Sequence, residues 1–378
     1  MEMSWPAELE ALREEADSFA ADAVARFGRH DDAWINGYSR ELSRELGARG
    51  WIGMTWPTEY GGGGRTPIER FIVTEALIDA GAPIAASWFA DRQMGPSILV
   101  YGTEEQKRAY LPGILAGDTG WCIGMSEPDA GSDLAGLRTS AVRDGDEFVV
   151  NGQKIWTSFG TTADYCYLIC RTSAPPDGKR HLGISELIVP MQTPGITVKP
   201  IVDMHGGRHF CEVYFDDVRV PVANLVGVEG ESFKQTMRQL EHERGGIDRL
   251  LSNHARYRDA LAKADTTDPI VRQEVAALET GYRIGRLLVL RETLKQAPAG
   301  FSAATKTFCT EHEQRVADFV ARVYGPDALL WDGPDPASGS GSVGQAFCYA
   351  PAYTIMGGTA NVLRNILAER LLGLPRAG

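Results

Sequence analysis

Apolar residues in the first third of the chain recur three and four positions apart. Leu9, Leu12, Ala16, Phe19 and Ala23 form one such stripe, which predicts a helix over residues 9–24. Leu42 and Leu46 continue the pattern until Gly50 breaks it. Trp56-Pro57 followed by four consecutive glycines, Gly61 to Gly64, predicts an irregular loop. Thr66-Pro67-Ile68-Glu69 restarts a helix with proline in its first turn, running to about residue 79. Thr103-Glu104-Glu105-Gln106 is the capping signature of another, expected to close near Gly113. After Thr119 the pattern changes. Residues 147–150, 165–170, 185–189 and 210–215 are β-branched or aromatic runs. Turn formers at Asp144-Gly145-Asp146, Asn151-Gly152 and Pro194-Gly195 separate them, which predicts a β-barrel or sandwich. From Glu231 the helical spacing returns. Phe233, Met237, Leu240, Ile247, Leu250 and Leu251 share one broad stripe, and helices are expected over 270–296, 303–324 and 359–372. Residues 325–344, rich in Gly, Pro, Ser and Asp, predict a loop. The order is α, β, α: an α+β multidomain chain with domains expected at 1–119, 120–230 and 231–378.

Composition narrows the function. At 378 residues the chain exceeds what one core usually carries, and 43% hydrophobic with 23% charged residues is ordinary globular composition. Fifty acidic against 38 basic side chains give a net charge of −12, a poor match for nucleic acid or anionic lipid. No apolar run approaches the ~20 residues of a membrane span. The acidic, helix-like residues 1–16 lack the basic and apolar regions of a secretory signal. Six scattered cysteines without a CxxC pair suit reduced, buried thiols, so a cytoplasmic enzyme is expected.

Two motifs carry little. Gly339-Ser340-Gly341-Ser342-Val343-Gly344 spells GxGxxG but follows Pro334-Asp335-Pro336 rather than a strand, so it predicts a flexible loop. His312-Glu313 lacks the second histidine of HExxH, and no metal site is expected. Two other segments carry more. Residues 124–136, Gly-Met-Ser-Glu-Pro-Asp-Ala-Gly-Ser-Asp-Leu-Ala-Gly, gather small residues and hydroxyls where helix gives way to strand, which lets backbone approach a ligand. Lys154-Ile155-Trp156-Thr157-Ser158 sets a Trp beside two hydroxyls. Each alone also reads as a loop and a core Trp.

Together, and with several further motifs, these segments resemble the acyl-CoA dehydrogenase family over essentially the whole chain. The others are the Trp56-Pro57 glycine run, Tyr101-Gly102-Thr103-Glu104-Glu105-Gln106-Lys107, Val218-Arg219-Val220-Pro221, and Gly358-Thr359-Ala360-Asn361 with Ala368-Glu369-Arg370-Leu371-Leu372-Gly373. The resemblance implies an N-terminal helical domain, a middle β-domain and a C-terminal four-helix bundle, with FAD between the last two. It also implies cofactor contacts at Met125, Ser126, Ser132, Trp156, Thr157, Ser158, Thr359 and Asn361. Among these, Ser126 would bond the flavin ring, Trp156 pack on it, Ser158 reach its N5 edge, and Ser132 touch the CoA portion. Thr359 and Asn361 open the last helix, whose free N–H groups suit the phosphate and ribityl region. Gly357 and Gly358 would border the substrate. An acyl-CoA substrate, its trans-2-enoyl-CoA product and an electron-transfer flavoprotein are implied partners. The thioester oxygen is expected to be held by the flavin's ribityl hydroxyl and a backbone N–H.

The sequence departs from the family in two places. Most members carry their catalytic base just before the Gly-Thr of the C-terminal motif, where this chain has Gly357. A minority resembling isovaleryl-CoA dehydrogenase place it on a bundle helix before an Arg, here Glu241-His242-Glu243-Arg244. Glu243, three residues after Leu240 and four before Ile247, falls on the apolar stripe; Glu241 falls among Lys234, Arg238 and Asp248. Glu243 is therefore the expected base and Arg244 a substrate-site residue. The plainer alternative is a Glu snorkelling at the stripe's edge or paired with Arg244. Two glycines after Arg244, expected within the helix, would cost roughly 1 kcal/mol each and admit a ligand. The second departure concerns assembly. Homotetrameric members carry Arg-x-x-Phe-Gly and Gln-x-x-Gly-Gly segments that reach a neighbour's FAD; here the first reads Lys263-Ala264-Asp265-Thr266-Thr267-Asp268-Pro269 and the second is the 325–344 loop. Either the loops compensate within a homotetramer, or an unlike subunit completes an α2β2 assembly, as in bacterial members resembling steroid side-chain dehydrogenases. An acyl-CoA oxidase and a silent subunit remain as alternative functions.

Overall fold

A computed structural model describes residues 5–244, 246–331 and 340–375. For 241–244 and 340–342 it describes the backbone path alone. Six helices open the chain: α1 (Ala7–Phe27), α2 (Arg40–Ala48), α3 (Pro67–Ala80), α4 (Ala85–Phe89), α5 (Gly95–Tyr101) and α6 (Glu104–Leu115), with a π-turn at Ala90–Met94. The capping boxes read from sequence form: Thr66 with Glu69 starts α3, and Thr103 with Gln106 starts α6. The second helix runs two residues past Gly113, carrying Pro112 in its last turn.

Eight strands follow: β1 (Trp121–Gly124), β2 (Ser140–Asp144), β3 (Glu147–Ser158), β4 (Tyr165–Arg171), β5 (Ile184–Pro190), β6 (Ile196–Pro200), β7 (Phe210–Pro221) and β8 (Leu225–Val226). They run β6-β7-β3-β2-β4-β5-β8, with β1 beside β4. The sheet folds over at β2 and β4, which meet only through Ser140 and Arg171. Phe148, Val150, Val213 and Val218 of one leaf then bury against Cys166, Leu168, Leu187 and Val189 of the other, the sandwich expected from the short apolar runs. Asn151-Gly152 is not a turn. The residues lie within β3, where a register shift opposite β7 absorbs them. The Asn151 amide bonds Asp217, and a Cβ on Gly152 would meet Thr139 at 2.7 Å.

The C-terminal third holds α7 (Phe233–Arg244), α8 (His254–Lys263), α9 (Pro269–Thr293), α10 (Ser302–Tyr324), α11 (Ser340–Tyr349) and α12 (Ala360–Ile366), the last continued by a π-turn to Leu371. The 233–251 stripe is not one helix. The chain leaves α7 by Gly246, which is extended at φ −132° and ψ 156°. The loop expected to reach residue 344 gives way to helix from Ser340, so most of the GxGxxG run lies on α11; Gly339 falls outside the described residues. Five of the six cysteines are buried and Cys348 half-buried, all free. Among the described residues no helix is long and apolar enough to cross a membrane.

Glu186 and Asp32 are among the carboxyls buried deep inside. Glu186 on β5 accepts hydrogen bonds from Tyr167, Gln235 and Thr236, yet burial outweighs them and raises it to about 7. Asp32, bonded by Tyr353, is likewise raised by burial to about 7. A folded-state value above the unfolded one means the native state holds protons that the unfolded chain releases near pH 4.5. This part of the stability is complete at acid pH and is lost as pH rises through about 7. Urea unfolding is expected to show lower stability at pH 8.5 than at 5.5, with a shallower slope in Glu186→Gln. A flat wild-type profile would contradict it.

Candidate active site

The residues expected at the cofactor fall into two groups on the fold. The first rests on β3. The Ile155 N–H donates to the Ser126 carbonyl at 2.9 Å, setting Met125 and Ser126 alongside Trp156, Thr157 and Ser158. The register of β3 against β7 shifts between Lys154 and Thr157, and there Trp156 takes a left-handed φ of +61°. Such backbone is costly for a bulky aromatic residue and is kept where surroundings enforce it. Its effect is to turn the indole outward: Trp156 is 53% exposed, braced edge-on by Phe210 at 5.7 Å. Next to it Thr157 is fully buried, and its Oγ1 has no hydrogen-bond partner. An exposed aromatic plate beside an unsatisfied hydroxyl fits a planar, hydrogen-bonding ring such as a flavin. Ser158 is buried at the end of the strand, while Ser132 lies exposed in the preceding loop.

Beneath this face sits a feature the sequence reading quotes without assigning. Lys154, with no exposed surface, donates to the Met125 carbonyl at 3.0 Å and to Glu127 at 2.8 Å. Glu127 also accepts from the backbone N–H groups of Arg138 and Thr139, at 2.6 and 2.8 Å. Burial pushes the Glu127 carboxyl up, but Lys154 and these donors hold it below its ordinary value, so it is ionised. One buried pair thus ties both ends of the 125–139 loop to β3.

The second group lies at the other end of the chain. Gly357 and Gly358 are both left-handed, at φ +64° and +97°. Thr359 caps α12 by accepting from the Val362 N–H at 3.2 Å, and Asn361 is exposed. The buried Lys306 of α10 reaches across to the Gly358 carbonyl at 2.8 Å. No hydrogen bond among the described residues joins this turn to the first group.

Glu243 and Arg244 lie on the last turn of α7; their side chains, like all of Gly245, are outside the described residues. The turns before them are described. Gln235, Thr236 and Gln239 are buried while Lys234 and Arg238 are exposed. In sequence Glu243 stands four residues after Gln239 and seven after Thr236, and Glu241 three after Arg238 and seven after Lys234. Leu240 is half-buried. Both amide atoms of Gln239 are buried without hydrogen-bond partners.

Two expectations about the end of α7 need correction. Asp248 is not on a solvated face; it is fully buried and ion-paired with Arg92 of the π-turn. Gly246 is not inside a helix: a Cβ there would meet Asp248 Oδ1 at 2.0 Å and Arg92 Nη2 at 2.5 Å, so it makes room for that pair. Around it Tyr353 donates to Asp32 at 2.7 Å, and Asn253 donates to Tyr353 at 3.0 Å and, through its backbone N–H, to Glu313 at 2.6 Å. These partners are far apart in sequence, so no local motif announces them.

Comparison with known proteins agrees with this organisation. Models of the acyl-CoA dehydrogenase N-terminal, middle and C-terminal domains match residues 6–118, 122–218 and 230–372. The acyl-CoA dehydrogenase FadE26 of Mycobacterium tuberculosis is 37% identical, with both chains covered completely. IpdE1 of the same organism, also an acyl-CoA dehydrogenase, is 34% identical over 92% of this chain and 91% of its own. Among solved structures, a chain of the Tcur3481-Tcur3483 steroid ACAD superposes with a TM-score of 0.89 at 35% identity, with both chains fully covered. A chain of the ChsE4-ChsE5 complex from Mycobacterium tuberculosis gives 0.86 at 35% identity, again over the whole of both.

Proposed function

The chain belongs to the acyl-CoA dehydrogenase family, and from that premise we propose that it oxidises an acyl-CoA thioester to the trans-2-enoyl-CoA with FAD, taking steroid side-chain thioesters as its substrate class. The observation that carries the flavin reading is the strained, outward Trp156 beside the unsatisfied Thr157 hydroxyl. When bound, FAD supplies the two-electron acceptor for a hydride from Cβ. The chain's own work is to orient and to move a proton. Met125, Ser126, Trp156, Thr157 and Ser158 hold the ring from the β-domain side, and Thr359 and Asn361 face its phosphate and ribityl portion. Glu243 takes the α-proton, and exclusion of water by bound substrate would bring its carboxylate's basicity toward working pH. Gly357 leaves the space that a side-chain base would fill, and a backbone N–H beside it can polarise the thioester oxygen. Arg244 and Gly358 border the substrate, and Ser132 meets its CoA portion.

The substrate class and the assembly rest on the same relatives. The steroid ACAD and the ChsE4-ChsE5 complex each pair two different chains, and the segments that reach a neighbour's FAD in homotetramers are replaced here. An unlike related chain therefore completes the FAD site, and an electron-transfer flavoprotein takes the electrons onward. One experiment tests both points: purify the chain alone and co-expressed with a related acyl-CoA dehydrogenase chain, then assay straight, branched and steroidal thioesters with an artificial acceptor. Flavin-replete protein is expected only from the pair, with steroidal thioesters preferred. A flavin-replete homotetramer from the single chain would refute the mixed assembly, and preference for straight-chain thioesters would refute the substrate class.

A further inference from the structure

Three metal-ligating side chains that the proposed reaction does not use meet on the loop between β6 and β7. Asp203, His205 and His209 are each half-buried, and one ligand atom from each lies within 4.8 Å of the others. Asp203 winds the loop: its Oδ1 accepts from the backbone N–H groups of His205 at 3.1 Å and Gly207 at 3.0 Å. That leaves Asp203 Oδ2 buried without a hydrogen-bond partner. His205 Nδ1 is also buried and unpartnered, although it lies 2.5 Å from Asp203 Oδ1, because the two are not aligned for a hydrogen bond. Asp203 Oδ2 and His205 Nδ1, buried without hydrogen-bond partners on adjoining side chains, are atoms that a bound cation would satisfy. Tyr349 of α11 closes the group from the bundle side, its ring 4.9 Å from His205 and 5.8 Å from His209, with its hydroxyl 3.4 Å from His209 Nε2.

We propose that Asp203, His205 and His209 bind a divalent transition-metal ion of the zinc class, bracing the middle domain against α11. Two imidazoles and one carboxylate are a borderline donor set that selects such ions over magnesium or calcium, which take oxygen ligands. Three protein ligands would leave a fourth position for water. The effect of the ion would be felt next door. The His209 carbonyl accepts from the Phe159 N–H at 2.6 Å, and Phe210 is the brace of Trp156. Fixing His209 fixes the backbone on which the outward indole stands. The HExxH pattern and paired cysteines are not its signal; the signal in sequence is Asp-x-His-x-x-x-His in a glycine-containing loop.

The test is calorimetric titration of the chelator-dialysed, as-purified protein with zinc chloride, alongside magnesium chloride and a thermal melt. One zinc per chain with a dissociation constant at or below the micromolar range is expected, with a raised melting temperature and no magnesium heat. His209→Ala and the milder His205→Gln should each weaken zinc binding by at least about 100-fold, with circular dichroism checking that both fold. Absence of zinc heat in the wild type would overturn the proposal. So would unchanged affinity in both folded variants, which would place the ion elsewhere.

Discussion

Glu243→Gln is expected to leave a folded protein that retains flavin and binds acyl-CoA but whose flavin absorbance no longer bleaches under anaerobic substrate. The amide keeps the shape of the carboxylate and cannot take a proton at working pH. Losing a positioned base typically costs 10²–10⁴ in rate, so bleaching should slow by about that factor. Glu241→Gln is the control, because its sequence spacing groups it with Lys234 and Arg238 and the same change there should do little. Rapid bleaching in Glu243→Gln, or a defect confined to Glu241→Gln, would remove Glu243 from the chemistry. In that event Gly357 would leave the chain without a base, and a silent subunit would become the better description.

The second large effect is expected at Lys154. Methionine would fill much of the same volume but leave the Glu127 carboxylate buried against its two backbone donors with no cation. Breaking a buried pair by removing one partner costs about 3–5 kcal/mol, far more than a surface ion pair contributes. Urea unfolding of Lys154→Met should show a loss of that order, and flavin content should fall because the 125–139 loop loses its tie to β3. Removing Glu127 as well should cost less than the two single changes summed, since the second change deletes the stranded charge. A loss below about 1 kcal/mol with flavin retained would mean the pair neither stabilises the fold nor positions the loop.

Much of the architecture was legible because its cues are local. Thr66 and Thr103 start helices within one turn, and the alternation of short apolar runs with turn formers marks the middle domain. The errors arise where distant partners override local chemistry. Asn151-Gly152 has the composition of a hairpin turn, yet β7 pairs with the strand on both sides of it and makes a bulge instead. Residues 233–251 keep a helical period, but the Arg92–Asp248 pair needs space that only an extended glycine leaves, and the helix ends there. At the candidate site, residue types were readable from motifs while their supports were not. Lys154 and Glu127 stand 27 positions apart, and Tyr353 meets Asp32 across 321. Asp203, His205 and His209 are near neighbours in sequence, but only the fold brings Tyr349 over them and leaves Asp203 Oδ2 and His205 Nδ1 without partners.

The ammonium of Lys306, near the start of a 23-residue helix, grips the Gly358 carbonyl. Two left-handed glycines in succession would ordinarily make a supple joint, yet here the joint is tied to a long helix of the bundle. An acyl group that borders this turn, as proposed, would meet backbone held by a side chain from another helix, and selection among substrates would then have a steric part.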